Sequence, residues 1–275
     1  MYKLSPFVWR ERDHMELLLR VVNYSENPSE KVARIHRGLS LDGVHFALGA
    51  RPVIPPGADV PGAYDSGGCE DPTVAYVDNV YYVYYTGWNE RLKRGELLLA
   101  AGTSLERLEK RGIALPSTPS ERNPKEAEIV QAGDGSWRLF FEYANDDRSK
   151  IGVAAASRVD GPWTVQPPLL EARAGWDEWH LSTGPVICDG DMLPVMFYNG
   201  ATRAAQWRIG WVVFDRAFTR VVARCEQPIV LPGERRFAED TDIAFAASAV
   251  MDGDRIHLYY SIADRHVMRA VVRRH

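Results

Sequence analysis

Two adjacent acids stand before a proline in Gly68-Cys69-Glu70-Asp71-Pro72-Thr73-Val74-Ala75-Tyr76-Val77-Asp78, at the mouth of an apolar run. A carboxylate in such a place costs free energy unless it is solvated, paired or in use. In use, it transfers a proton or grips a hydroxyl group. Pro72 predicts an extended backbone at Asp71 and removes a ladder donor, so the carboxylate is presented from a stiff support. Glu126 in NPKEAEIVQAGD and Ser182 in HLSTGPVICDGD occupy the matching entry of later repeats. Thr86, Glu142, Asn199 and Ser261 share a second register at strand ends, with Arg20 as the fifth member. Arg20 and Glu142 are the informative ones, because a charge close to an axis must be solvated or functional.

These positions recur because the chain repeats. An apolar-aromatic strand ending in a polar or small residue appears as Leu17-Leu18-Leu19-Arg20, Tyr82-Val83-Tyr84-Tyr85-Thr86 and Leu139-Phe140-Phe141-Glu142. It returns as Val195-Met196-Phe197-Tyr198-Asn199 and Leu258-Tyr259-Tyr260-Ser261. Four copies follow tight-turn signals, Asp78-Asn79, Asp134-Gly135, Asp189-Gly190 and Asp252-Gly253, whose residues tolerate positive φ. A second unit of strand, turn, strand and proline-bearing exit trails each copy. Four strands roughly every 55 residues predict an all-β fold, a single five-bladed β-propeller spanning residues 1–275 with four-stranded antiparallel blades. The fifth copy stops at VMRAVVRRH, which predicts that the N-terminal segment supplies its missing strand. A sandwich would not need five similar hairpins, and no stretch keeps the 3.6-residue period of crossover helices.

Composition limits the partners. The 275 residues are 45% apolar and 25% charged, as expected of a chain that buries a core. A formal charge of −4 and pI near 6.0 argue against nucleic-acid and anionic-membrane partners. The charged N-terminus lacks the apolar segment of a signal peptide. Cys69, Cys188 and Cys225 are far apart, so a reduced cytoplasmic protein without a disulfide framework or zinc site is expected. His36, His180 and His266 are scattered, and no oxygen-rich loop has calcium-ligand spacing. No metal or cofactor is therefore expected, and a monomer or homodimer is.

In this order the motifs resemble glycoside hydrolase family 130, the mannoside phosphorylases and related β-mannosidases. GLSLDGVHF, GCEDPTVAYVDNVYYVYYTG, NPKEAEIV, GWDEWHLSTGP, VMFYNG and LYYSIAD each match a family segment, one after another through nearly the whole chain. The resemblance implies that Asp71 is the general acid and that Arg20 and Asp264 hold sugar hydroxyls, with Glu239 a further substrate contact. It also implies that Arg111 and Lys125 bind phosphate. Departures bear on the reaction: Thr73 replaces a family Arg, Asn199 a phosphate-binding His, and Trp207 an aromatic hydroxyl, while a strand ending usually in His-Arg ends here in Phe141-Glu142. Asn199 and Trp207 are then expected to line the sugar subsites. A dianion beside Glu142 would be repelled, whereas water would find a base.

The leading expectation is therefore an inverting glycosidase acting on β-linked mannosides or related oligosaccharides. Asp71 would be its acid and Glu142, or next Glu126, would activate water, with the carboxyl groups roughly 6.5–9.5 Å apart. The alternative keeps inorganic phosphate as co-substrate and releases mannose 1-phosphate. A carbohydrate-binding propeller without turnover is the third.

Overall fold

The computed structural model describes residues 1–27, 30–57, 60, 62–234 and 240–273. Its regular structure is almost entirely β, and among the described residues no helix is long and apolar enough to cross a membrane. The first blade comprises Tyr2–Glu11, His14–Val22, Ala33–Ser40 and Ala47–Ile54. The second comprises Gly68–Val77, Val80–Asn89, Arg94–Gly102 and Glu109–Leu115, and the third Arg122–Gln131, Trp137–Asn145, Arg148–Ala156 and Thr164–Gln166. Short strands from His180–Ser182 to Val221–Arg224 form the fourth, and Ala244–Asp252, Arg255–Ile262 and His266–Arg273 the fifth. The hairpin turns lie where the sequence places them. Asp78 and Asn79 adopt φ of +51° and +62°, the left-handed conformation that lets two strands reverse without splaying.

Five apolar clusters join the blades in sequence and carry the ring around. Leu18, Ile35, Val83 and Tyr85 pack between the first and second blades. Tyr84, Leu99, Ile129 and Phe141 pack between the second and third, and Phe140, Val153, Tyr198 and Phe214 between the third and fourth. Phe197, Ile209, Ala246 and Leu258 join the fourth to the fifth. The last cluster, Val8, Met15, Leu17, Val250 and Tyr259, crosses from the fifth blade back to the first. The fold is a five-bladed β-propeller, and this alternation of sheet faces is why each blade's strands are apolar on both sides.

Two expectations about the blades need correction. The N-terminal strand does not complete the fifth blade. Tyr2–Glu11 pairs with His14–Val22 inside the first blade, and the described fifth blade has three strands. The seam is held instead by the apolar cluster and by Ser248, whose Oγ donates to Pro6 O at 2.6 Å and accepts from Val8 N at 2.8 Å. The fourth blade is not one continuous sheet either. Its ladder divides around Gly184-Pro185 into a three-stranded and a four-stranded part, because proline brings no donor and the chain detours there.

Candidate active site

The site is built by a bulge repeated around the axis. In the first blade Leu4 pairs with Arg20 and Phe7 with Leu18, so three steps on one strand face two on the next. The same extra residue occurs between Glu70 and Thr73, between Lys125 and Glu128, and between Ala246 and Ser248. Three of the bulged residues, Ser5, Asp71 and Glu126, adopt φ of +47°, +48° and +47°. A bulge bends its strand and re-aims one side chain, here toward the axis. Asp71 is thus not extended as Pro72 led us to expect; pairing within the sheet overrides the local bias and holds it in a left-handed conformation that costs about 1 kcal/mol or more.

The bulges converge. Ser5, Asp71, Glu126 and Ala247 line one axial cavity of about 20 Å³, completed by Thr183 and Gly184 of the fourth blade, with Glu128 beneath them. Every blade contributes to it. Asp71 is 4% exposed, and its Oδ1 accepts from Ser5 Oγ at 2.6 Å and from Arg20 Nη1 at 3.1 Å. The other arm of Arg20 reaches Glu70 Oε1 at 2.9 Å. Burial works against the guanidinium charge, but Glu70, Asp71 and Glu126 outweigh it and leave the group more firmly charged, while burial raises the Glu70 carboxyl against the pull of Arg20. Asp264 stands at the rim with φ of +51°, accepting from Thr241 Oγ1 at 3.2 Å. The residue is exposed, yet loss of water on the protein side raises its carboxyl, which also feels Arg20 and Asp71.

Glu126 has a carboxyl pushed well up, first by loss of water and then by Asp71. Glu128 is 8% exposed, accepting from Thr73 Oγ1 at 3.1 Å and Val186 N at 3.0 Å. Burial outweighs those bonds and raises its carboxyl to about 8. Glu142, opposite Lys125 in the ladder, is 2% exposed. Its Oε1 meets Lys125 Nζ at 3.3 Å and accepts from Ser149 Oγ at 2.7 Å. Glu142 in turn keeps the Lys125 ammonium charged.

A basic and aromatic wall continues from there. Ser149 N donates to His180 Nδ1 at 3.0 Å, and burial keeps the imidazole neutral. His180 stacks on Trp207 at 5.6 Å, and Trp207 meets Phe245 edge-on at 5.3 Å. Beside them the guanidinium groups of Arg148 and Arg203 lie 3.9 Å and 4.4 Å from the Trp179 ring. Neither has a carboxylate partner among the described residues.

The structure therefore brings together Asp71, Arg20, Glu126, Lys125, Glu142 and Asp264, with Trp207 on the wall. It does not bring Arg111. That residue lies on Glu109–Leu115, the outermost strand of its blade, paired with Glu109 at 3.1 Å and lining a groove with Tyr82 and Trp163. Asn199 is also removed from solvent, at 0% exposure. Its amide donates to Thr183 O and Ala246 O and accepts from Ala246 N, tying the fourth blade to the fifth. Glu239 lies outside the described residues. Sequence reasoning missed Ser5, Glu70, Arg148 and Arg203: the first two sit at bulges, Arg148 opens a strand and Arg203 stands in a turn, without a repeating signal. Among the described residues no three His, Cys, Asp or Glu side chains converge as metal ligands.

Comparison with known proteins identifies the family and the fold. A family model described as beta-1,4-mannooligosaccharide phosphorylase matches residues 6–274. The chain is 24% identical over 246 residues to the 1,2-beta-oligomannan phosphorylase of Thermoanaerobacter sp. (strain X514), covering 88% of this chain and 79% of that one. It is 25% identical over 257 residues to a beta-1,2-mannobiose phosphorylase of the same strain, covering 90% and 80%. The structure of beta-1,2-mannobiose phosphorylase from Listeria innocua in complex with beta-1,2-mannobiose superposes with a TM-score of 0.82 at 20% identity, over 99% of this chain and 90% of that one. With a match running through all five blades, the chain belongs to glycoside hydrolase family 130.

Proposed function

We propose that the protein is an inorganic-phosphate-dependent β-mannoside phosphorylase. Asp71 protonates the glycosidic oxygen, a phosphate oxygen attacks C1 from the opposite face, and α-mannose 1-phosphate is released with inversion. The observation that carries this reading is the Lys125–Glu142 pair at 3.3 Å. Hydrolysis needs a carboxylate free to take a proton from water. Glu142 is buried and engaged by an ammonium and a hydroxyl. Glu126, the other candidate, has a carboxyl raised by burial and by Asp71, which disfavours the ionised form that a base needs. Both routes to an activated water are weakened, which reverses the preference drawn from the sequence.

Phosphate needs no such base, because it arrives as an anionic nucleophile. Lys125 keeps its charge and 42% of its side-chain exposure, and Arg148 and Arg203 supply fork-shaped donors nearby. These cations take the part that the sequence assigned to Arg111. Arg20 orients the acid through one arm, and Asp264 is available to the hydroxyls of the innermost mannose. The similarity to oligomannan and mannobiose phosphorylases supports the same reaction.

The test is turnover of β-mannobiose with and without inorganic phosphate, followed by phosphorus NMR. The expected result is α-mannose 1-phosphate, with no product when phosphate is withheld. Release of free mannose at an equal rate without phosphate refutes the proposal and restores the hydrolase.

A further inference from the structure

The two carboxyl groups at the axis differ in a way the reaction above leaves unexplained. Asp71 accepts two donated hydrogen bonds, from Ser5 and Arg20. Glu126 makes no side-chain hydrogen bond among the described residues, although the same bulge points it at the same cavity. About 20 Å³ suits one water molecule, and a water there needs two to four polar partners. Asp71, Glu126, Ser5, Thr183 and Glu128 supply them.

Resting on the phosphorylase reading, we infer that Glu126 is the proton store of the catalytic acid, passing its proton to Asp71 through a single water in the axial cavity. Glu126 is a positioning and proton-supplying residue, not a base. The charges that face it are Arg20 from the first blade, Asp71 from the second, and Lys125, Glu142 and Glu128 from its own. Loss of water together with Asp71 keeps its proton on, while Lys125 and Arg20 limit the rise, which suits a group that must release as well as hold.

The step balances. Asp71 gives its proton to the glycosidic oxygen as the C1–O bond breaks and the bond from C1 to a phosphate oxygen forms. Glu126 then reprotonates Asp71 through the water. The proton that the phosphate hydroxyl loses on becoming an ester returns through solvent to Glu126.

The experiment compares wild type, Glu126→Gln and Glu126→Asp on β-mannobiose and on 2,4-dinitrophenyl β-mannoside, whose aglycone leaves without protonation. For Glu126→Gln, kcat on mannobiose should fall about 30- to 100-fold, KM for phosphate should stay within threefold, and the basic limb of the pH profile should move down by about one unit or more. The loss should shrink to within threefold on the activated substrate, and Glu126→Asp should recover part of it on mannobiose. Equal losses on both substrates, or an unmoved basic limb, overturn the inference. If the wild type releases mannose without phosphate, the functional reading fails, and the same comparison followed on mannose still decides the role of Glu126. Should Glu126→Gln fail to fold, infrared spectra of Glu128→Gln decide instead. A protonated carboxyl band near neutral pH that vanishes on raising pH and shifts when Glu126→Asp is added supports the store; no band, or one that the added change leaves in place, overturns it, since Glu70 and Asp264 are raised as well.

Discussion

Glu128 gives the sharpest test of how dry the axis is. Its unfolded carboxyl loses a proton near 4.5, while burial beneath the site raises the folded value to about 8. The folded state therefore binds one more proton than the unfolded state between those values, and stability falls as pH rises through that window. The contribution is complete below the unfolded value and gone above the folded one. From about pH 6 to pH 9 the two units up to the folded value, at 1.36 kcal/mol each, remove about 2.7 kcal/mol. Glu128→Gln cannot ionise. Its amide oxygen can accept from Val186 N and its NH₂ can donate to the Thr73 hydroxyl once that hydroxyl rotates, so both existing partners stay satisfied. Urea unfolding followed by tryptophan fluorescence should find the stability of the variant over wild type growing by about 2–3 kcal/mol between pH 6 and pH 9. Parallel stability across that range would mean that water reaches Glu128, and the argument for a low-dielectric floor beneath Asp71 would fail with it.

Further outcomes follow from the same contacts. Lys125→Met should raise KM for phosphate at least about tenfold and cost about 1–2 kcal/mol, after allowing for the half-exposed ammonium. Adding Glu142→Gln should restore stability by denaturation but not phosphate affinity in kinetics. Asn199→Ala leaves two carbonyls and one amide unmatched between the fourth and fifth blades. It should lower unfolding free energy by about 2–3 kcal/mol while KM for mannobiose stays within twofold. Arg111→Ala should leave KM for phosphate within twofold, because its guanidinium pairs with Glu109 on an outer strand.

The sequence makes the blades readable because each turn signal and each apolar run is a local property. The equivalence of Arg20, Thr86, Glu142, Asn199 and Ser261 was legible for the same reason, since all five sit on the second strand of their blades. Which way they face was not. Asn199 and Glu142 follow similar apolar runs, yet one ties two blades together and the other meets a lysine, a difference set by neighbours distant in sequence. The Pro72 argument expected an extended Asp71, and the structure holds it left-handed. The conformation of Asp71 depends on an extra residue counted against Thr86 and Tyr84 across the ladder. Arg148 opens a strand of the third blade, whereas Trp179 and Arg203 come from separate loops of the fourth, and only the packed blades stack them.

The seam has a consequence for when the enzyme can work. Asp71 depends on Ser5 and Arg20 from one side of the join, while Asp264 and Ala247 come from the other. Local unfolding that parts Ser248 from Pro6 would scatter the supports of Asp71 before any blade had melted. Catalytic competence should thus disappear ahead of secondary structure during gentle heating, and a nascent chain should remain inert until its final sheet docks.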